Sequence, residues 1–336
     1  MTEQAERPKR VRKAAGKAKP PDITVIIPTY KRPDRLVGVV QALTRQTLDP
    51  DRFEVIAIDN FSEDDTWETL TALSATVPFT MRLLQTTVNR GPAPARNLGW
   101  RAASSPLLAF LDDDCLPDPE WLAEGLAAML ADEHLGVVQG RVRTPDDFDP
   151  VGLPHWYHCQ IIDGPTPYFE ACNIFYRRSA LEETGGFDEG FGWWGEDSEL
   201  GWRVVEAGWG RGFTDHAVVI HAVQQRGWRW YFDNGLLERN MVKVAGRHAG
   251  FRREAFWRPW AFRREDAAFV LAVVGVVVGL LRFRPTLLLA LPYMWWRRPR
   301  GDAPDPLRYL TESVAVDAAR SAGQLLGAVE HKVLVI

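Results

Sequence analysis

Three consecutive carboxylates, Asp112-Asp113-Asp114, close the apolar run Leu107-Leu108-Ala109-Phe110-Leu111. Like charges this close repel and raise one another's pKa. A divalent cation relieves the repulsion, and hard oxygen ligands favour Mg2+, Mn2+ or Ca2+. The plainer reading is a turn at Pro117 and Pro119, with Asp118 capping a helix over Pro119–Ala131. That cap uses Asp118 alone and leaves the triple unexplained, so the acids are read as a metal site. A second acidic pair, Glu196-Asp197, follows Gly192-Trp193-Trp194-Gly195 and opens a helical stretch reaching about Ala207. Acids at a helix N-terminus are commonly caps.

The elements around the triple set its place. Ile23-Thr24-Val25-Ile26-Ile27 is a β-branched run of the kind buried on both faces of a sheet. It stops at Pro28-Thr29-Tyr30, and a helix is expected from about Pro33 to Gln46. Glu54–Ile58 is a second strand ending in Asp59-Asn60, followed by a helix opening on Glu63, Asp64 and Asp65, which suits its dipole. A third strand near Met81–Gln85 leads to Asn89-Arg90-Gly91 and a helix over Ala93–Ala102. Leu107–Leu111 is then the fourth strand. Alternating β and α elements call for a parallel, doubly wound α/β sheet with right-handed crossovers. In the order 3-2-1-4 the chain reverses direction between strands 1 and 4, and ligands bind outside strand ends at such a switch point. Pro28-Thr29-Tyr30, Asp59 and the acidic triple would face that crevice. No G-x-G-x-x-G follows strand 1 and no G-x-x-x-x-G-K-[ST] occurs, which disfavours a dinucleotide oxidoreductase and a P-loop. A nucleotide whose diphosphate is held by a metal remains.

Composition agrees with a globular protein: 336 residues, 46% hydrophobic, 25% charged, net charge -4. That balance does not favour nucleic acid. Residues 1–21 are basic, with Arg7, Lys9, Arg10, Arg12, Lys13, Lys17 and Lys19 against Glu3 and Glu6, and are expected to be a disordered tail weakly drawn to anionic lipid. They lack the apolar stretch of a signal peptide. Three cysteines, Cys115, Cys159 and Cys172, with no metal-type spacing, fit a reducing compartment, so a cytoplasmic location is expected.

Several motifs in this order resemble the inverting glycosyltransferases of family 2, which have the GT-A fold. They are VIIPTYKRPDRL from Val25, VIAIDN from Val55, NRGPAPARNLGW from Asn89, FLDDDCLPDPEWL from Phe110, GGFDEGFGWWGEDSELGWRVVEAG from Gly185, and His221. The resemblance covers about residues 23 to 225 and implies transfer of a sugar from a nucleotide diphosphate sugar to an acceptor hydroxyl, with Mn2+ or Mg2+. It implies that Pro28, Thr29 and Tyr30 line the nucleoside pocket, that Asp59 bonds the base, and that Arg32, Arg90 and Arg96 lie near the phosphates. Asp59 as an Asx-turn residue and the arginines as plain surface groups are the alternatives. Asp112 and Asp114 match the outer acids of the D-x-D motif, the last binding metal and the first meeting the ribose or a metal water. Asp113 stands at the variable position, so any neighbouring pair of the triple could be the working one. By resemblance Asp197 is the general base, Glu196 its neighbour and an acceptor contact, and His221 a third metal ligand. Asn173, before the strand Ile174-Phe175-Tyr176, would line the donor-sugar pocket. Trp193 and Trp194 either offer a face to a sugar or pack in the core. Between Arg143 and Tyr168, where Val137–Val142 has ended as a strand, Trp156, Tyr157 and His158 lie in a loop region, packing locally or touching substrate. Gln224–Trp230 has the wrong spacing for the Q-x-x-R-W of processive synthases, so polymerisation is not inferred. A sugar-nucleotide pyrophosphorylase would need a glycine-rich loop after strand 1. A non-catalytic sugar-binding protein of this fold would not need the set Asp59, Asp112, Asp114, Asp197 and His221.

The catalytic domain is thus expected over 22–230 and a helical C-terminal region over 231–336. There Ala267–Leu281 and Thr286–Trp296 are apolar, separated by Arg282-Phe283-Arg284-Pro285 and closed by Arg297-Arg298. Each half is shorter than the roughly 20 residues that span a bilayer. One continuous span would bury two arginines at roughly 2.5–3.5 kcal/mol each. A membrane-dipping hairpin, an interfacial pair or a homodimer core remain, and Tyr293, Trp295, Trp296 and the arginines favour a membrane surface on its cytoplasmic side. Leu307–Leu334 reads as a further helix. The acceptor would be a glycan or a lipid-linked, cell-envelope molecule.

Overall fold

A computed structural model describes residues 20–148, 156–298 and 305–335. The basic tail expected over 1–21 lies, but for its last two residues, outside them. The elements run β1 Ile23–Thr29, α1 Pro33–Leu43, β2 Phe53–Asp59, α2 Thr66–Ser74, β3 Thr80–Gln85, α3 Pro92–Ala102, β4 Leu107–Leu111, β5 Cys115–Pro117, α4 Trp121–Leu130 and β6 Leu135–Arg143. They continue with β7 Tyr157–His158, β8 Asn173–Arg177, α5 Arg178–Thr184, α6 Glu196–Glu206, β9 Gly210–His221, β10 Gln224–Gln225 and α7 Trp228–Gly235. Then come α8 Glu238–Arg247, α9 Ala249–Ala255, α10 Arg264–Leu281, α11 Leu291–Trp296 and α12 Pro306–His331.

The chain forms two compact units. One takes the chain through Thr144 and Gln160–Ala222; the other takes Pro145–Cys159 and Val223–Ile336. The first holds an eight-stranded sheet in the order β3-β2-β1-β4-β8-β6-β9-β5. The 3-2-1-4 order expected from the sequence is present: β1 is parallel to β2 and β4, with Ile26 opposite Ile56 and Phe110. Departures from an all-parallel sheet come at β8, antiparallel to both β4 and β6, and at β5, antiparallel to β9. β-branched and aromatic residues of β1, β2 and β4 are buried on both faces, which explains their continuous apolar runs. β9 begins seven residues before the apolar run at Ala217. Its first half, Gly210–His216, is half-exposed and polar, and pairs with β6 through two register shifts, so hydrophobicity does not mark it.

Two expected helix starts shift. α4 starts at Trp121 with Glu120 at the cap position and no side-chain cap bond. Asp118 instead accepts from Trp121 N and Gln46 Nε2 through its carbonyl and meets Arg143 through its carboxylate. The acids Glu63, Asp64 and Asp65 precede α2, and Asp64 accepts from the backbone N and hydroxyl of Thr66.

In the second unit, α12 is pinned by polar contacts on its buried face: Tyr293 Oη and Arg297 Nε donate to Asp317, both at 2.8 Å, and Gln324 Nε2 donates to Asp266 at 3.0 Å. Trp156, Tyr157 and His158 pack here. Trp156 Nε1 donates to Glu312 at 2.9 Å and its ring meets Tyr231 and Tyr309, Tyr231 Oη donates to Tyr157 O, and the His158 ring lies against Trp230. Among the described residues, no helix is long and apolar enough to cross a membrane.

Candidate active site

The acidic triple lies in the turn between β4 and β5, and each acid meets a different neighbour. Asp112 is the most open, with a 31% exposed side chain, and accepts from Arg96 Nη2 at 2.9 Å. Asp113 is buried; Thr29 Oγ1 and Arg32 Nη1 donate to it, both at 2.8 Å. Burial and the neighbouring Asp114 push its pKa to about 6, against the pull of Arg32. Asp114 takes Arg32 Nη1 at 2.9 Å and Arg35 Nη1 at 3.3 Å. Arg35 was not singled out from the sequence. The available signal is its spacing from Arg32 by three residues, which puts both on one side at the start of α1.

β5 and β9 bring a histidine to the same place. Cys115 pairs with His221 across this antiparallel ladder, and Ala222 N donates to Asp114 O at 2.8 Å. His221 Nε2 then lies 3.7 Å from Asp114 Oδ1. Its Nδ1 is 2.8 Å from the Ala222 carbonyl, which can only accept. Nδ1 therefore donates to that carbonyl, as the ring nitrogen away from the metal does in metal-ligating histidines. Ligand atoms of Asp114, Cys115 and His221 all fall within 4.8 Å of one another. Burial pushes the Cys115 thiol well up, and a sulfur ligand is softer than Mn2+ or Mg2+ favour. Asp114 and His221 offer a carboxylate oxygen and an imidazole nitrogen, donors suited to Mn2+ or Mg2+, while Asp112, two residues before Asp114, lies outside that 4.8 Å cluster. Arg32 and Arg35 on Asp114 mark it as a place where positive charge is stabilised. The residues fit a divalent cation.

The second acidic pair lies one guanidinium away. Arg96, on α3, is 5% exposed and donates through Nη1 to Glu196 Oε1 at 2.7 Å and through Nη2 to Asp112. The structure places two expected ligand residues as follows. Arg96 is engaged by carboxylates rather than presented to phosphate, and Glu196 is buried against Arg96 rather than open to an acceptor. Burial raises the Glu196 pKa and Arg96 opposes it. Asp197 remains partly open; its Oδ1 accepts from Ser198 N at 2.7 Å and its Oδ2 from Ala171 N at 3.3 Å. Dense surroundings, with the negative charges of Glu196 and Glu170, push its pKa well above the usual carboxylate range despite Arg96. Glu170, held by Thr166 Oγ1 at 2.8 Å, was not anticipated, since nothing in its local sequence marks it.

The segment carrying Asp197 is held by α3. Asn97 Nδ2 donates to Phe187 O and Glu189, and Asn97 Oδ1 accepts from Phe187 N and Trp100 Nε1. Gly91, at φ +96°, lies so close to Gly192 that a Cβ there would sit 2.0 Å from its carbonyl oxygen. Only glycine fits such an approach. NRGPAPARNLGW thus clamps the 186–197 segment. Trp193 and Trp194 are 51% and 38% exposed, which excludes the core-packing alternative for them.

Other expected ligand residues are placed differently. Tyr30 is exposed at the end of β1 and Arg90 is exposed in the loop after β3, while Pro28 is half-buried and Thr29 is buried. Asp59 is fully enclosed, its oxygens accepting from Ser62 N at 2.9 Å and Gln85 Nε2 at 2.8 Å. In this structure it holds the turn after β2, the Asx alternative. Asn173 is fully buried, accepting from Trp121 Nε1 and donating to the carbonyls of Arg141 and Ala217, each at 2.8 Å. Its amide ties β8 to α4, β6 and β9 and does not face a sugar pocket.

Residues 24–194 match the model of the family described as Glycosyl transferase family 2. The chain belongs to glycosyl transferase family 2. Within that family it is 29% identical over 270 residues to validoxylamine A glucosyltransferase of Streptomyces hygroscopicus subsp. limoneus, covering 70% of this chain and 59% of that protein. It is 33% identical over 153 residues to pre-mycofactocin glycosyltransferase of Mycobacterium tuberculosis (strain CDC 1551 / Oshkosh), covering 42% of this chain and 32% of that one. The chain therefore spans only part of the length of these relatives. Among solved structures, the mannosyltransferase PcManGT from Pyrobaculum calidifontis, in complex with GDP-Man and Mn2+, superposes with a TM-score of 0.60 at 21% identity over 94% of this chain and 88% of that chain. The shared fold is GT-A-like.

Proposed function

We propose that this chain transfers a sugar from a nucleoside diphosphate sugar to an acceptor hydroxyl, with inversion at the anomeric carbon. The observation that carries the reading is Arg96: one buried guanidinium joins Asp112, on the cation side, to the Glu196-Asp197 turn, on the acceptor side. Pro28, Thr29 and Tyr30 border the nucleoside, and Arg32, Arg35 and Arg90 supply charge toward the diphosphate. Asp114, His221 and Asp112 would hold Mn2+ or Mg2+, a Lewis acid that neutralises charge on the departing diphosphate. PcManGT, of the same fold and captured with GDP-Man and Mn2+, supports this assignment.

Asp197 takes the acceptor proton as the hydroxyl oxygen attacks the anomeric carbon. The new carbon–oxygen bond forms on the face opposite the diphosphate, and the bond to the leaving phosphate oxygen breaks. No covalent enzyme intermediate forms. The 3.3 Å bond from Ala171 N and the Ser198 N bond hold the carboxylate in place. Trp193 and Trp194 offer aromatic faces to the acceptor, a glycan or lipid-linked molecule. The exposed apolar helices of the second unit support work at a membrane surface.

Calorimetry with a panel of sugar nucleotides, with and without Mn2+, tests the donor assignment: saturable, Mn2+-dependent binding is expected for one of them. Asp114→Ala should weaken binding of that donor at least about tenfold in Mn2+, the loss of one good charged contact, and change it little in the presence of a chelator. Equal weakening under both conditions would place Asp114 outside the cation site.

A further inference from the structure

In the second unit, Ala267–Leu281 of α10 and the returning leg, a 3-10 stretch Arg284–Ala290 followed by α11, make a helical hairpin. Only one stripe of α10 is covered: Gly275 and Gly279 approach Thr286, Leu287 and Leu289, and Phe269 packs on Tyr293. The other faces are bare and apolar. Val274 is 50% exposed, Leu280 76%, Leu281 80%, Leu288 65% and Trp295 65%. A helix apolar on all sides requires non-aqueous surroundings, and a continuous patch of this kind marks an interaction surface.

We propose that the hairpin Ala267–Arg298 docks into one leaflet of a bilayer rich in anionic phospholipid, which deepens the membrane-surface reading above and rests on it. From Ala267 to Arg298 the sequence contains no Asp or Glu, while Arg282 and Arg284 stand at the turn and Arg298 at the end, Arg297 being paired with Asp317. The Arg298 guanidinium lies 3.7 Å from the centroid of the exposed Trp295 ring, an arginine–tryptophan pair of the kind found at headgroup level. Cations at both ends of an apolar body are complementary to anionic headgroups. A second copy of the chain is the poorer occupant. It would cover one face and leave the others in water, and pairing two acid-free hairpins would set arginines only against arginines or apolar groups. Depth follows from length. The apolar part of α10 spans about 22 Å at 1.5 Å per residue, short of the roughly 30 Å hydrocarbon core, so the hairpin enters from one side.

Flotation of the full chain with vesicles of phosphatidylcholine alone, and of phosphatidylcholine mixed with phosphatidylglycerol, tests this. Wild type should bind the mixed vesicles at least about tenfold more tightly. Leu281→Asp with Leu288→Asp should lose that binding, and Arg282→Glu with Arg284→Glu should lose the preference for phosphatidylglycerol. Leu130→Asp, an exposed site in the first unit, should bind as wild type. Equal binding to both vesicles would leave the membrane reading standing and overturn the anionic one. Hairpin variants that bind as wild type would transfer the binding to the basic residues before Pro20. Failure to bind either vesicle, with light scattering showing a dimer that the leucine variants dissociate, would overturn both readings in favour of a second copy.

Discussion

Asp197→Asn is expected to lower turnover by about 10²–10⁴-fold, the usual contribution of a positioned general base, while donor affinity stays near wild type. Asparagine keeps the shape of the side chain and still accepts from Ser198 N, so the α6 N-terminus is preserved, but it cannot take a proton at neutral pH. Single-turnover rates with saturating donor, beside the calorimetric donor affinity, separate the two effects. An Asn variant with full turnover would remove Asp197 from the mechanism. The pH profile is a second check. A base acts when ionised, and burial with the neighbouring Glu196 raises this pKa. Activity should therefore fall on acidification from a pH above the usual carboxylate range, and that acidic limb should be absent from the residual rate of the Asn variant.

Arg96→Met is expected to cost about 3–5 kcal/mol of stability, the penalty for removing one partner of a buried charge pair. Against a total of about 5–15 kcal/mol, that is a large fraction. Glu196 is 4% exposed and would lose the guanidinium that offsets its burial, so its already raised pKa would rise further. Arg96→Lys should recover only part of the loss, because an ammonium is a single point and the guanidinium fork reaches both Glu196 and Asp112. Arg96→Met with Glu196→Gln should recover more, since the orphaned charge is gone. The sign of the pH effect is fixed. In the Met variant the folded-state pKa of Glu196 lies above its unfolded value, so folding takes up a proton. The variant gains stability relative to wild type below the unfolded pKa and loses it as pH rises through the folded one. Denaturant titrations of both proteins at several pH values check this, and a difference in stability that does not vary with pH would mean that Glu196 is not the group left unpaired.

The parts of the molecule legible in sequence are those where one local property decides the outcome. β1, β2 and β4 are buried on both faces, so their β-branched runs stand out, and their helical crossovers leave few orders open. The first half of β9 is half-exposed and polar, and was missed for that reason. Asp118 reads as a cap in the sequence and Glu63, Asp64 and Asp65 as the first residues of a helix, yet where a helix starts depends on turn geometry that composition does not carry. The placement of Trp156 in the second unit depends on Glu312, 156 residues away.

The sequence by itself determined which chemical groups this protein possesses and the ends of the strands from which they project, because burial on both faces marks those strands as continuous apolar runs. The apolar stretches bounded by arginines were likewise complete in it. Only the tertiary structure decided which acid meets which cation. Arg96 pairs with Asp112, 16 residues away, and with Glu196, 100 residues away, so no local pattern could show that it is buried between them. The same holds for Asn173, turned into the core to join three strands and a helix, and for Asp59, closed into its turn. Coulomb and hydrogen-bond energies depend on distances of a few ångströms between groups far apart in the chain, and those distances exist only once the sheet has formed.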